Sequence, residues 1–236
     1  GSSHYEEPKQ LSIFNDTVIF VSGDYSNGPS DYLLVKFDSS GQLKWDRIFD
    51  PQVFYNYPVS ASDNVLDMLI TSGEDVVLTG RCFVGTGGPR RINVSYDQGG
   101  ILNWVARDFY AAEGQTISED TSGHIIIAGY AVDSLTSEFG IGLSRYDPSG
   151  TCVWSTVYFP SPGEYCTYSL CGVDYTGNIY ASSDVGIVWA DYLITIKYGN
   201  TVGIDEQQAD EFHVSVFPVP CNTQLTINSL REINSV

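Results

Sequence analysis

Positive charge is scarce in this chain. Lys and Arg number 11 against 29 Asp and Glu, a formal net charge of −18 over 236 residues. So acidic a surface repels phosphate backbones and anionic lipid, which excludes nucleic acid as a partner. Histidine occurs three times and methionine once. His4, His124 and His213 fall in separate segments and cannot supply the clustered ligands of a zinc site. The five cysteines contain no Cys-x-x-Cys pair. A Gly-x-Ser-x-Gly elbow and a Walker loop are both missing. No apolar run approaches the ~18 residues of a membrane-spanning helix, and the stretch Gly1 to Gln10 is too polar for a signal peptide. No long segment keeps apolar residues at i, i+3, i+4 and i+7, so the fold is not helical.

What is abundant is glycine and aromatic surface: 23 Gly, 16 Tyr, 11 Phe and four Trp. With 42% hydrophobic and 17% charged residues, the chain is too apolar to stay disordered. Its length suffices to bury a core without covalent staples. Short runs of Val, Ile, Leu and Tyr, broken by Gly, Ser, Asp and Asn, describe an all-β protein.

The runs repeat. Lys36-Phe37-Asp38-Ser39-Ser40-Gly41 leads to Trp45, Ser95-Tyr96-Asp97-Gln98-Gly99-Gly100 to Trp104, and Arg145-Tyr146-Asp147-Pro148-Ser149-Gly150 to Trp154. Gly follows Asp by three residues and Trp follows Gly by four, each time. Lys197-Tyr198-Gly199 opens a fourth copy that diverges. A second mark moves in step: Val18-Ile19-Phe20-Val21-Ser22-Gly23, Asp75-Val76-Val77-Leu78-Thr79-Gly80, His124-Ile125-Ile126-Ile127-Ala128-Gly129 and Asn178-Ile179-Tyr180-Ala181-Ser182-Ser183. Both keep a period near 50 residues. Each unit reads as four short strands; in the third these are 115–119, 124–128, 141–146 and 151–158, with turns at Asp120–Gly123 and Asp147–Gly150. Four-stranded units of this length are what propeller blades require. The expectation is a β-propeller of about four recognisable blades over residues 1–200. Trp45, Trp104 and Trp154 should sit at equivalent, mostly buried positions, and the Val/Ile runs of the second mark should be buried strands.

Candidate chemistry is thin. Asp38, Asp97 and Asp147 recur at one position, but Asp-x-x-Gly offers one or two oxygens where Ca²⁺ needs about six, so they read as turn caps. His124 replaces Asp75 and Asn178 of sister units and reads as a turn residue. Cys171 stands where the third unit has Ile117 and reads as a small buried hydrophobe. Cys152 and Cys166 join consecutive units and leave a disulfide open in an oxidising compartment; Cys82 and Cys221 carry no signal. Gly85-Thr86-Gly87-Gly88 leads into Pro89, not a helix, and reads as a loop. A glycosidase-type carboxylate pair stays open, since nothing selects one. No catalytic, cofactor-binding or metal residue is assigned.

The repeat resembles the seven-bladed β-propeller bacterial (SBBP) family. The residues that carry the likeness are Asp31-Tyr32-Leu33-Leu34-Val35-Lys36-Phe37-Asp38-Ser39-Ser40-Gly41 with Trp45, and Asp174-Tyr175-Thr176-Gly177-Asn178-Ile179-Tyr180. It spans roughly residues 9–200. The second copy departs, with Pro89-Arg90-Arg91-Ile92-Asn93 in place of an acidic-aromatic opening. The family implies a fold and no chemistry.

After Tyr198 the composition shifts. Residues 201–211 form an acidic stretch that reads as a linker. Beyond it, Val216, Phe217, Pro218, Pro220, Leu225 and Ile227 are similar to the start of the C-terminal sorting domain of the type IX (Por) secretion system, with Val219 where that family usually has Asn. Residues 212–236 are therefore expected to be a truncated sorting-domain start packing apart from the propeller, and the chain a fragment of a larger propeller, cut at both ends. The resemblance implies an exported protein, secreted or on the outer cell surface, that meets the type IX machinery. The leading function is a non-enzymatic scaffold or binding module for an unidentified protein or carbohydrate ligand, without cofactor. The alternative is a secreted hydrolase or lyase acting on polysaccharide, with acidic residues at the propeller channel.

Overall fold

In the computed structural model the described residues are 5–26, 28–56, 62–83, 88–108, 111–133, 136–161, 163–187 and 190–198, together with the strand course of 214–218 and 224–229. The chain is an all-β propeller of four blades, and its blades form an open arc.

The first blade is the antiparallel sheet β1 (Tyr5–Phe14), β2 (Val18–Ser26), β3 (Ser30–Asp38) and β4 (Leu43–Phe49). A four-residue helix, α1 (Pro51–Phe54), follows. The second blade is β5 (Asn64–Ile70), β6 (Val76–Phe83), β7 (Pro89–Tyr96) and β8 (Leu102–Arg107). The third is β9 (Thr116–Glu119), β10 (Ile125–Val132), β11 (Phe139–Tyr146) and β12 (Cys152–Tyr158). The fourth begins with β13 (Tyr165–Val173), β14 (Ile179–Ile187) and β15 (Ala190–Tyr198). Helix α1 is too short to cross a membrane.

The tail differs from the sequence reading. Strands β16 (Val214–Pro218) and β17 (Gln224–Ser229) do not pack apart: β17 pairs antiparallel with β15, Tyr198 opposite Gln224, and β16 adds outside it. The fourth blade thus takes its fourth strand from across residues 199–213. The Leu225-Thr226-Ile227 alternation marks a strand, but pairing is a long-range matter that alternation does not encode. The acidic linker 201–211 lies outside the described residues.

The tryptophan repeat is structural. Trp45 pairs with Lys36, Trp104 with Ser95 and Trp154 with Arg145, and the same register shift follows in each blade. Trp45 Nε1 donates to the Gln98 carbonyl (3.2 Å) and Trp104 Nε1 to that of Pro148 (3.1 Å), so each indole clasps the Asp-x-x-Gly turn of the next blade. Trp154 stacks on Tyr198, ring centres 6.0 Å apart. All three are partly buried, not enclosed, because they lie at the outer rim of the joint.

Three cores lie between blades. One joins Phe20, Leu34 and Phe49 of blade one to Val65, Val76 and Leu78 of blade two. The next joins Val77 and Ala106 to Ile117, Ile125 and Ile127. The last joins Ile126, Leu143 and Ile141 to Ile179, Ala181 and Ile194. Among the described residues no core joins blade four to blade one. The runs Val76–Leu78 and Ile125–Ile127 are buried as expected, and Ile179 with them. In Val18–Val21 only Phe20 is fully buried, because among the described residues nothing packs on the other face of that blade.

The recurrent Gly of the second mark has a packing reason. A Cβ on Gly23, Gly80 or Gly129 would run into the backbone carbonyl of Glu7, Asn64 or Glu113, where the innermost strand bends across the second.

Candidate functional site

The two ends of the arc are built differently. One end carries short turns, five of them of a single pattern. At Asp38, Asp97, Asp120, Asp147 and Asp174 the Asp N–H donates to the carbonyl four residues on, and the Gly N–H returns to the Asp carbonyl. The Asp carboxylate completes the turn: Asp38 Oδ1 accepts from Ser40 N (2.9 Å) and Gln42 N (3.0 Å), Asp147 Oδ1 from Ser149 N and Thr151 N (both 2.9 Å). Hydrogen bonds from Ser149 and Thr151 hold the Asp147 carboxyl below the usual range, and those from Lys44, Ser40 and Gln42 do the same for Asp38. These aspartates are turn caps, as read from the sequence. His124 belongs to the same set, its backbone N–H held by Asp120 Oδ1 at 3.0 Å.

The opposite end carries the connections between strands two and three and those from blade to blade. They differ in every blade, and the segment 50–63 is the longest of them. Three carboxylates converge there, at the joint of the first two blades. Asp31 opens β3, Asp50 follows β4 and caps α1 by accepting from Val53 N (3.0 Å), and Asp63 precedes β5. One oxygen from each lies within 4.8 Å of the others. Asp63 is fully buried. Its Oδ1 accepts from Phe83 N (2.9 Å) and Gln52 Nε2 (3.3 Å), while its Oδ2 is enclosed with no hydrogen-bond partner. Burial first, then the neighbouring carboxylates, pushes Asp63 up to about 7 even against those hydrogen bonds. Burial and Asp50 raise Asp31 to about 6. Among the described residues no Lys or Arg ion-pairs with any of the three. Sequence reasoning missed this cluster: its members stand 19 and 13 residues apart, on two blades, with no repeat between them.

A second buried polar group is structural. Arg91, from the irregular opening of the second copy, is fully buried and ion-pairs with Asp108. It also donates to Ser144 Oγ and to the carbonyls of Ile127 (3.1 Å) and Gly142 (3.3 Å), and Tyr146 OH reaches Asp108 Oδ2 at 3.3 Å. This network ties blade two to blade three across their joint. A shallow pocket of about 130 Å³ on the turn side of that joint is lined by Ser72, Asp75, Ser95, Trp104 and Glu119. Glu119 is spent on Ser72, accepting from its N and Oγ (both 2.7 Å).

The described cysteines are free thiols, and Cys152 and Cys166 are not bridged in this structure. Burial raises the thiols of Cys82, Cys152 and Cys171 and pushes Cys166 up to about 11, away from the nucleophilic thiolate. Cys171 pairs with Ala181 as Ile117 does with Ile127, the equivalence read from the sequence. His4, His213, Cys221 and the stretch 85–87 lie outside the described residues.

No protein-family model matches the chain, and no curated protein does. Solved structures match in fold. A protein of unknown function from Dyadobacter fermentans superposes with a TM-score of 0.54 at 13% identity, over 96% of this chain and 75% of that one. A polysaccharide lyase, an ulvan lyase bound to -[GlcA(1-4)Rha3S]-, superposes with a TM-score of 0.52 at 12% identity, over 80% of this chain; the match spans 50% of the lyase. At such identities the likeness speaks for the fold alone.

Proposed function

We propose that the chain is a non-enzymatic β-propeller binding module of an exported protein, displayed at the cell surface or secreted, which takes a protein or carbohydrate ligand on its long-loop end. The observation that carries this reading is the division between the two ends. One is spent on repeated, hydrogen-bonded turns; the other varies from blade to blade and exposes apolar side chains such as Val53 (76% exposed) and Phe54 on α1. Loops held on a rigid scaffold are where recognition residues reside. The resemblance of Val216-Phe217-Pro218 and Leu225-Thr226-Ile227 to a type IX sorting segment supports the address.

The polysaccharide-acting alternative is favoured by one observation, the convergence of Asp31, Asp50 and Asp63, with the carboxyls of Asp31 and Asp63 raised. Against it, Asp63 is sealed from solvent and no described histidine accompanies the three. A net charge of −18 also disfavours a uronate or sulfated polymer.

The test is a ligand screen of the full chain on protein and glycan arrays, with two double-ended controls. Val53→Ser with Phe54→Ser should abolish binding, while Tyr175→Ser, on the 91% exposed turn-end tyrosine, should leave it unchanged. Release of unsaturated sugars or new reducing ends from any polysaccharide would instead establish the enzyme. Binding lost only with Tyr175→Ser would put the ligand at the wrong end.

A further inference from the structure

We propose that Asp31, Asp50 and Asp63 form a Ca²⁺ site at the joint of the first two blades, on the long-loop side. Three carboxylate oxygens within 4.8 Å of one another fit one coordination sphere, since oxygens on opposite sides of Ca²⁺ stand about 4.6–5.2 Å apart. A Mg²⁺ sphere is tighter, about 4.2 Å across, and demands octahedral geometry.

The independent observation is the state of Asp63 Oδ2. It belongs to a fully buried side chain whose other oxygen already takes two donors, yet it has no partner itself. A buried carboxylate oxygen without a donor costs free energy unless it is protonated or met by a cation. No basic side chain is placed to meet it among the described residues. The other ionisable groups against the cluster are the Tyr32 hydroxyl and the Cys82 thiol, the thiol a weak hydrogen-bond partner of the Asp63 carboxylate, and neither is cationic. The hard, all-oxygen donor set selects Ca²⁺ over transition metals, with water completing the six to eight ligands.

Such an ion would tie the end of β3, the start of α1 and the approach to β5 together. It would fix the loop 50–63 that carries Val53 and Phe54, so loop order, not chemistry, is its contribution. The site stands on its own and does not require the binding reading above.

Calcium titration of the full chain by calorimetry is the test, with thermal unfolding in millimolar CaCl₂ and in EDTA. We expect one Ca²⁺ per chain and a melting temperature several degrees higher with the ion, as linkage requires. Asp50→Asn keeps an N-cap of equal quality and so keeps α1; it and Asp31→Asn should weaken Ca²⁺ at least tenfold and remove the thermal shift. Asp38→Asn, at a turn cap on the opposite end, should change neither. Absence of heat and of any thermal shift overturns the site. So does Ca²⁺ binding that Asp31→Asn and Asp50→Asn leave intact, or a response to Mg²⁺ without one to Ca²⁺.

Discussion

At Glu74 the backbone takes a φ of 71°, in a turn whose counterparts in blades three and four have Gly123 and Gly177. The hairpin from Thr71 to Asp75 closes by the same bonds as its counterparts: Thr71 N to Asp75 O at 2.8 Å and Glu74 N to Thr71 O at 2.9 Å. Threonine Oγ1 stands in for the aspartate, accepting from Asp75 N at 3.1 Å. In the sister turns Gly41, Gly100, Gly123, Gly150 and Gly177 hold φ between 78° and 84°. A side chain in the left-handed region costs roughly 1–2 kcal/mol, while glycine gives back roughly 0.5–1 kcal/mol through unfolded-state entropy. Glu74→Gly should therefore stabilise the chain by about 0.5–1 kcal/mol, read as a higher urea midpoint at unchanged slope. Gly41→Ala, in open space at φ 81°, should shift it the other way. No shift for Glu74→Gly would mean the turn relaxes without cost. These turns were legible in the sequence because Asp, Gly and Trp act within ten residues of one another. Arg91 looked like an irregularity in its copy, and the Asp31–Asp50–Asp63 cluster like nothing at all, because burial and convergence are properties of two blades meeting.

Between blades, the innermost strands are stitched by one repeated bond. Gln10 Oε1 accepts from Met68 N (2.5 Å), Asp67 Oδ2 from Ile117 N (2.8 Å) and Thr116 Oγ1 from Cys171 N (2.9 Å). Gln10, Asp67 and Thr116 hold the same place in β1, β5 and β9, and each reaches the next blade. Leu170 occupies that place in β13 and is half exposed, so the series ends at the fourth blade. Three different side chains perform one task, which is why the stitch left no mark in the sequence: the position demands an acceptor of some reach, not one residue type. Asp67→Ala leaves the Ile117 amide without its acceptor and should cost about 1–3 kcal/mol, with faster hydrogen exchange at that amide. Asp67→Asn keeps an acceptor and sheds a charge that burial already penalises, so it should lie within about 1 kcal/mol of the parent. Equal losses for both would assign the effect to the charge instead of the hydrogen bond.

Across the whole arc, the two terminal faces are unlike each other. The outward face of blade four mixes Leu170 and Leu193 with Tyr180, Ser182, Thr195 and Lys197, paired across β13–β15. The outward face of blade one aligns Leu11, Val21 and Val35 in one row and Ile13, Ile19, Phe37 and Leu43 in the next. By register these match Met68, Leu78 and Val94, and Ile70, Val76, Tyr96 and Leu102, of blade two. Met68, Val76, Leu78, Val94 and Tyr96 are buried against blade one, whereas Leu11 is 59% and Ile13 62% exposed. The first blade thus presents a core face to solvent. A buried Met or Leu cut back to Ala costs about 2–5 kcal/mol, and an exposed one usually less than about 0.5 kcal/mol. Met68→Ala and Leu11→Ala, the same position in adjacent blades, should separate by that margin in urea unfolding. A dye that lights up on apolar surface should bind the parent and lose signal when Leu11 and Ile13 are both changed to Ser. If Leu11→Ala proves as costly as Met68→Ala, the face is covered in solution and the open arc is not the form that unfolds; a concentration-dependent midpoint would then identify the cover as a second copy of the chain.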